Sequence, residues 1–265
     1  MTSDRATALQ DVPSPEIPRE PEGPNREALG TPESHVRAAT PDDIERLAQI
    51  ELTAFRDVYG DPPPDEKARE VTAKYTERVE LLGEWLRVLE SPRDGVYGML
   101  VFCPTNMEKD IFLETDPTDN SFICKAFDPT GENVYVINLA IMPNNSTGNR
   151  FDLFADGIAL GQERGIKRAY FESRLPKFRS WLLSELDITN TSELPPDKIE
   201  AYAETYWQLK DGEGQPVDPL MRLYTDFGCR PLCLVRDAWR VDAASCSFGV
   251  FFELSQETTK GEPAA

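Results

Sequence analysis

The residues best suited to chemistry gather around one strand–loop–helix passage. Asn138-Leu139-Ala140-Ile141-Met142-Pro143 is an apolar run closed by proline, and the polar stretch from Asn144 to Asn149, which contains Gly148, leads from it into a helix. A helix N-terminus offers unpaired N–H groups and positive dipole charge, which suits a pyrophosphate. The same arrangement also arises in α/β proteins that bind no nucleotide. No carboxylate lies between Val134 and Met142, where Asn138 is the only amide. Glu172, at the end of the next expected strand, is a candidate base, and an ion pair with Arg174 or Arg179 is its competing reading. Those arginines lie within Arg174-Leu175-Pro176-Lys177-Phe178-Arg179 and can grip a substrate carboxylate bidentately or serve internal ion pairs. His35, the sole histidine, reads as exposed or capping, and Asp218 before Pro219 reads as a helix cap.

Several chemistries drop out. One histidine and no Gly-x-Ser-x-Gly elbow leave no Ser-His-Asp triad. Cys229 and Cys233 lack the second pair of ligands that a zinc site needs, so no metal is expected. No Walker-type loop is present.

The elements that must position these residues alternate between helical and strand patterns. His35 to Ala39 reads as a short strand, and Thr40-Pro41-Asp42-Asp43 supplies a cap, a proline and first-turn acids for a helix carrying Ile44, Leu47, Ile50 and Glu51-Leu52 through Phe55. After Pro62-Pro63-Pro64, apolar spacing predicts one long helix from about Asp65 to Glu90. Strands are expected at Gly95 to Phe102, Ser121 to Ala126 and Asn133 to Met142. A helix then runs to about Arg164, with Gly165 terminating it, and Ile166 to Glu172 reads as a strand. A helical insertion is expected from about Pro195 to Lys210, and a short helix from Asp218 to near Phe227. Strands follow at Cys229 to Arg236 and Ser245 to Leu254.

Composition narrows the partners. The formal net charge of −19 repels nucleic acid and anionic membrane surfaces, and no apolar run approaches the roughly 20 residues of a membrane span. Met1 to Gln10 lacks the apolar stretch of a secretory signal. The five cysteines form an odd, scattered set within expected strands, which points to reduced, buried thiols and a cytoplasmic setting. Residues 1–34, with six prolines and seven acids against three bases, are expected to be a disordered acidic tail, and 255–265 a second one. Residues 35–254 form the folded domain.

The motifs in order resemble the GNAT superfamily of acyl-CoA N-acyltransferases. Val36-Arg37-Ala38-Ala39-Thr40-Pro41-Asp42-Asp43-Ile44 is similar to the family's opening, and Leu139-Ala140-Ile141-Met142-Pro143 to its fourth strand. Tyr224-Thr225-Asp226-Phe227-Gly228 is similar to its late Tyr-x-x-x-Gly segment. Arg174 to Arg179, Asp218 to Arg222 and Asp242 to Gly249 resemble a bacterial branch often fused to nitrilase-type amidase domains.

The resemblance implies an α/β fold: a mixed, mostly antiparallel, twisted sheet of about seven strands with helices on both faces. It implies acetyl-CoA or another acyl-CoA as co-substrate. The backbone of Leu139, Ala140, Ile141 and Met142 would pair with pantetheine, and Gly148, Asn149 and Arg150 would meet the pyrophosphate. Tyr224 would act as general acid and Glu172 as base, with Asn138, Arg174 and Arg179 on the substrate. The implied activity is acyl transfer to the amine of a small molecule in a metabolic or biosynthetic setting, by a monomer or homodimer. One departure bears on the cofactor. Where the family reads Arg/Gln-x-x-Gly-x-Gly/Ala, this chain has Ser146-Thr147-Gly148-Asn149-Arg150-Phe151-Asp152, and Asp152 in the first turn disfavours an anion. Two other readings follow: a catalytically silent GNAT-like binding module, or altered chemistry on a carrier-protein thioester.

Overall fold

The computed structural model describes residues 34–114, 120–143, 150–238 and 242–255. The tails expected at 1–34 and 255–265 lie, apart from Ser34 and Ser255, outside these residues. In chain order the elements are β1 (His35–Ala38), α1 (Ile44–Ala54), α2 (Arg56–Tyr59), α3 (Asp65–Leu82), β2 (Leu86–Ser91) and β3 (Gly95–Thr105). They continue with α4 (Lys109–Glu114), α5 (Asn120–Ala126), β4 (Asn133–Ile141), α6 (Arg150–Glu163) and β5 (Arg168–Arg174). The last are α7 (Phe178–Leu186), α8 (Pro196–Tyr206), α9 (Pro219–Asp226), β6 (Arg230–Val235) and β7 (Gly249–Ser255).

The seven strands form one sheet in the order β1-β2-β3-β4-β5-β7-β6. Every neighbouring pair is antiparallel except β4 and β5, which run parallel. Helices cover both faces. A Cβ on Gly157 of α6 would meet the Phe102 ring, whereas the next residue of β3, Cys103, directs its thiol toward the Ile123 carbonyl on α5. Alternation along β3 therefore sets α6 and α5 on opposite sides.

The entry to α1 follows the expected capping chemistry. The Asp43 carboxylate accepts from the Thr40 backbone N–H at 2.8 Å and receives both forks of Arg37 at 2.7 and 2.9 Å. The Arg37 hydrogen bonds, working against burial, hold the Asp43 carboxyl below the usual carboxylate range. Gly165 ends the α6 turn at φ +73°. Asp218 caps α9, accepting from the N–H groups of Leu220 at 2.9 Å and Met221 at 3.3 Å.

Four expectations are corrected. The long helix stops at Leu82, because Gly83 adopts φ +54°, and Leu86–Ser91 becomes β2 between β1 and β3. Leu86 and Leu89 are core residues either way, since an apolar stripe reads the same in a buried strand. Ser121 to Ala126 lies in a helix, α5, rather than a strand. Its first residue, Asn120, is tied to α3: it accepts from Arg78 Nε at 2.8 Å and donates to the Lys74 carbonyl at 3.3 Å. The last strand begins at Gly249, because Cys246 and Ser247 have positive φ and turn the chain. The cysteines are not uniformly buried strand residues. Cys103 and Cys229 are buried, and burial pushes both thiols up to about 12, but Cys124 is exposed on α5.

Gly157 sets how closely α6 lies on the sheet. A Cβ there would stand 2.4 Å from Phe102 Cζ and 3.1 Å from Leu100 Cδ2. Overpacking this contact with Gly157→Val is expected to lower stability by about 1–3 kcal/mol. Urea unfolding measures it, and an unchanged midpoint would show that the Phe102 ring yields freely.

Candidate active site between the parted strands

Strands β4 and β5 pair at only three positions, Asn133 with Arg168, Val134 with Ala169 and Tyr135 with Tyr170. Beyond them the strands diverge and leave a cavity of about 220 Å³. Its apolar wall includes Phe55 after α1, Leu139 and Ile141 on β4, and Leu220 and Leu223 on α9. Its polar groups include Asn138, Glu172, Ser173, Arg174 and Tyr224.

A bulge in β4 aims Asn138. Val101 pairs with Asn138, whereas Phe102 pairs with Val136, so Ile137 is the extra residue. An extra residue shifts the side-chain alternation by one position. Asn138 consequently falls on the α1 side, where its Nδ2 donates to Glu51 Oε2 at 3.2 Å and to Tyr75 Oη at 3.3 Å.

Glu51 is the focus of a buried network that the sequence reading did not assign to the site. The carboxylate is 2% exposed and accepts from Tyr59 at 2.7 Å, Tyr75 at 2.6 Å, Asn138 and the Lys74 ammonium. Burial pushes its carboxyl up, but the Lys74 charge and hydrogen bond, with those of Tyr75 and Arg78, outweigh burial and hold it below the usual range. Burial also draws Lys74 down, and Glu51 opposes that shift. Glu51 is thus an ionised anchor rather than a poised base. The available signal was a carboxylate on the apolar stripe of α1, four residues after Leu47.

The expected pantetheine contacts divide into two kinds. Met142 N–H donates to the Tyr97 carbonyl of β3 at 2.8 Å. Alternation in an antiparallel ladder then commits Ala140 to β3 as well, and turns the backbone groups of Leu139 and Ile141 toward the parted side. Leu139 and Ile141 line the cavity accordingly. Of the expected pyrophosphate contacts, Gly148 and Asn149 lie outside the described residues, and Arg150 opens α6.

Tyr224, on α9, both lines the cavity and packs among aromatic rings. Its centroid stands 4.7 Å from Phe171, 5.4 Å from Phe252 and 5.8 Å from Phe154. Arg174 Nε lies 3.0 Å from Asp242 Oδ2, a carboxylate 1% exposed, but the angle is too poor for a hydrogen bond at either atom. Arg179 is not brought to the cavity. It sits on α7, where its backbone N–H donates to Ala244 at 2.9 Å. Among the described residues no group of three or more His, Cys, Asp or Glu is placed to hold a metal, and no helix is long and apolar enough to cross a membrane.

No family model and no curated protein matches the chain. Solved structures do. The loading GNAT-like domain of CurA from Lyngbya majuscula is similar over 84% of this chain and 98% of its own, with 15% identity and a TM-score of 0.60. A GNAT-like decarboxylase, GphF, solved in complex with isobutyryl-CoA, is similar over 83% of this chain and 98% of its own, with 17% identity and a TM-score of 0.54. The seven-stranded sheet, its single parallel pair and the cleft that pair opens are therefore those of a GNAT-like fold.

Proposed function

We propose that the chain binds an acyl-CoA along the parted edge of β4 and transfers its acyl group, acetyl in the simplest case, to the amine of a small molecule. One observation carries the reading: the ladder between β4 and β5 ends after Tyr135 and Tyr170, and a cavity with both acidic and basic groups opens beyond it. The backbone groups of Leu139 and Ile141 are the ones directed at the pantetheine, while Gly148, Asn149 and Arg150 are offered to the pyrophosphate.

Transfer needs an unprotonated amine held against the thioester and a proton for the leaving thiolate. Glu172 is assigned to take the ammonium proton and Tyr224 to deliver one to sulfur. Arg174 is assigned to a substrate carboxylate. Arg179 loses its assignment, because it lies away from the cavity. The likeness to the branch found beside amide-processing enzymes supports a metabolic setting in the cytoplasm. The full chain, titrated with CoA and acetyl-CoA by calorimetry, is expected to bind both below millimolar concentration. No heat at millimolar ligand would overturn the reading.

A second reading has its own support. The two neighbours named above are a loading domain and a decarboxylase rather than amine acylases. Acyl-CoA binding without turnover on an amine panel would favour such altered thioester chemistry, or a binding module.

A further inference from the structure

A second cavity, of about 70 Å³, lies between α6 and the part of the sheet where β4 and β5 are still paired. Its sheet wall includes Phe102 of β3, Val134 and Val136 of β4, and Ala169 and Phe171 of β5. On each of the last two strands the pair is two residues apart, so both members address one side, the side of α6. Gly157 and Gly161 line it from the helix. Gln162, Lys167, Arg168 and Ser255 mark its far end, where β5 begins and β7 ends, and the body of the cavity is apolar. Its near end abuts the active-site cavity. Val136, Phe154 and Phe171 line both, so only those side chains stand between the two spaces.

The course of the donor decides which part of it meets this wall. With the pyrophosphate at the start of α6 and the pantetheine on the backbone of Ile141 and then Leu139, the thioester lies further back along β4. Its acyl group is then directed at Val136. A chain that continues on the α6 side enters the second cavity, whereas Asn138 and Glu51 stand on the α1 side. The apolar lining would leave a charged or hydroxylated acyl group without partners, and so selects against one.

Resting on the acyl-CoA reading of the cleft, we infer that the second cavity is an acyl-chain pocket and that the preferred donor carries an apolar acyl group of about four to six carbons, the length its volume holds. Gly161 is a specificity-determining position in this arrangement, because a side chain there would occupy the space of the chain.

The full chain titrated by calorimetry with acetyl-, butyryl- and hexanoyl-CoA tests this. Each buried methylene tightens binding about 4-fold, so butyryl-CoA should bind roughly 10-fold and hexanoyl-CoA roughly 100-fold tighter than acetyl-CoA. Gly161→Leu fills the pocket from the helix. A Cβ there meets only Ile166, at an ordinary 3.6 Å, and leucine suits a helix better than glycine. Ala169→Leu fills the pocket from the sheet. In both variants the advantage of hexanoyl-CoA over acetyl-CoA is expected to disappear, and the acetyl-CoA titration of the same preparation shows that the cleft is intact. Wild-type protein that binds hexanoyl-CoA no tighter than acetyl-CoA would overturn the inference, as would an advantage that survives both substitutions. Absence of binding by every CoA is a different failure, since it overturns the cleft reading and the pocket with it.

Discussion

Tyr224→Phe is expected to lower kcat roughly 100-fold, the lower end of what a positioned general acid contributes, with little change in the unfolding midpoint. The substitution leaves the ring among Phe154, Phe171 and Phe252 and removes only the hydroxyl. Packing and acid catalysis therefore separate cleanly at this position. If Tyr224 serves only the aromatic cluster, its deletion to phenylalanine changes neither turnover nor stability. Steady-state rates at saturating acyl-CoA, with a urea melt of the same preparation, distinguish the two. An unchanged kcat would leave thiolate protonation to solvent.

Glu51→Ala carries the other large effect, on stability rather than rate. It strips the half-buried Lys74 of its partner and leaves the Tyr75 and Tyr59 hydroxyls and an Asn138 donor without their acceptor. Breaking a buried pair in this way is expected to cost about 3–5 kcal/mol. The pH dependence has a definite sense. A carboxyl that titrates lower in the folded than in the unfolded chain stabilises fully above the ordinary range, near ~4.3, and that contribution fades as pH falls through the folded value. The stability difference between wild type and Glu51→Gln should thus hold near neutral pH and shrink in acid. A urea series that gives the same difference from neutrality down to strong acid would show that the Glu51 charge plays no part.

Local chemistry made much of the scaffold legible. The Thr40–Asp43 cap, the Gly165 stop and the Asp218 cap are each decided within a few residues, and all three stand as read. The apolar β4 run and the helix after its loop were legible for the same reason. Where the structure departs, the deciding information was distant. Leu86 and Leu89 continue the α3 stripe, yet their pairing with β1 and β3 makes them strand, a matter settled by partners rather than spacing. Ser121 to Ala126 is short enough that its apolar content fits either state, and the Asn120 contacts with α3 decide it from 42 and 46 positions away. The site shows the same limit. Glu172, Arg174, Tyr224 and Asn138 could each be named by type, but besides Tyr59, 8 residues on, the partners of Glu51 lie 23, 24 and 87 residues away, and nothing local announces those. Arg174 and Arg179 share one motif, but it spans the turn from β5 into α7, and only Arg174 is among the residues that line the cavity.

The extra residue in β4 has a consequence for descent as well as for geometry. Ile137 reverses which side of the sheet the remainder of the strand addresses, so the facing of Asn138 is encoded by an insertion and not by the identity of any side chain. A relative with the asparagine three places after the tyrosine but no bulge would present that amide to α6, whereas one that also lost a residue there would keep it on the α1 side. Lineages of this fold are therefore better compared by the register of β4 against β3 than by matching the letters there.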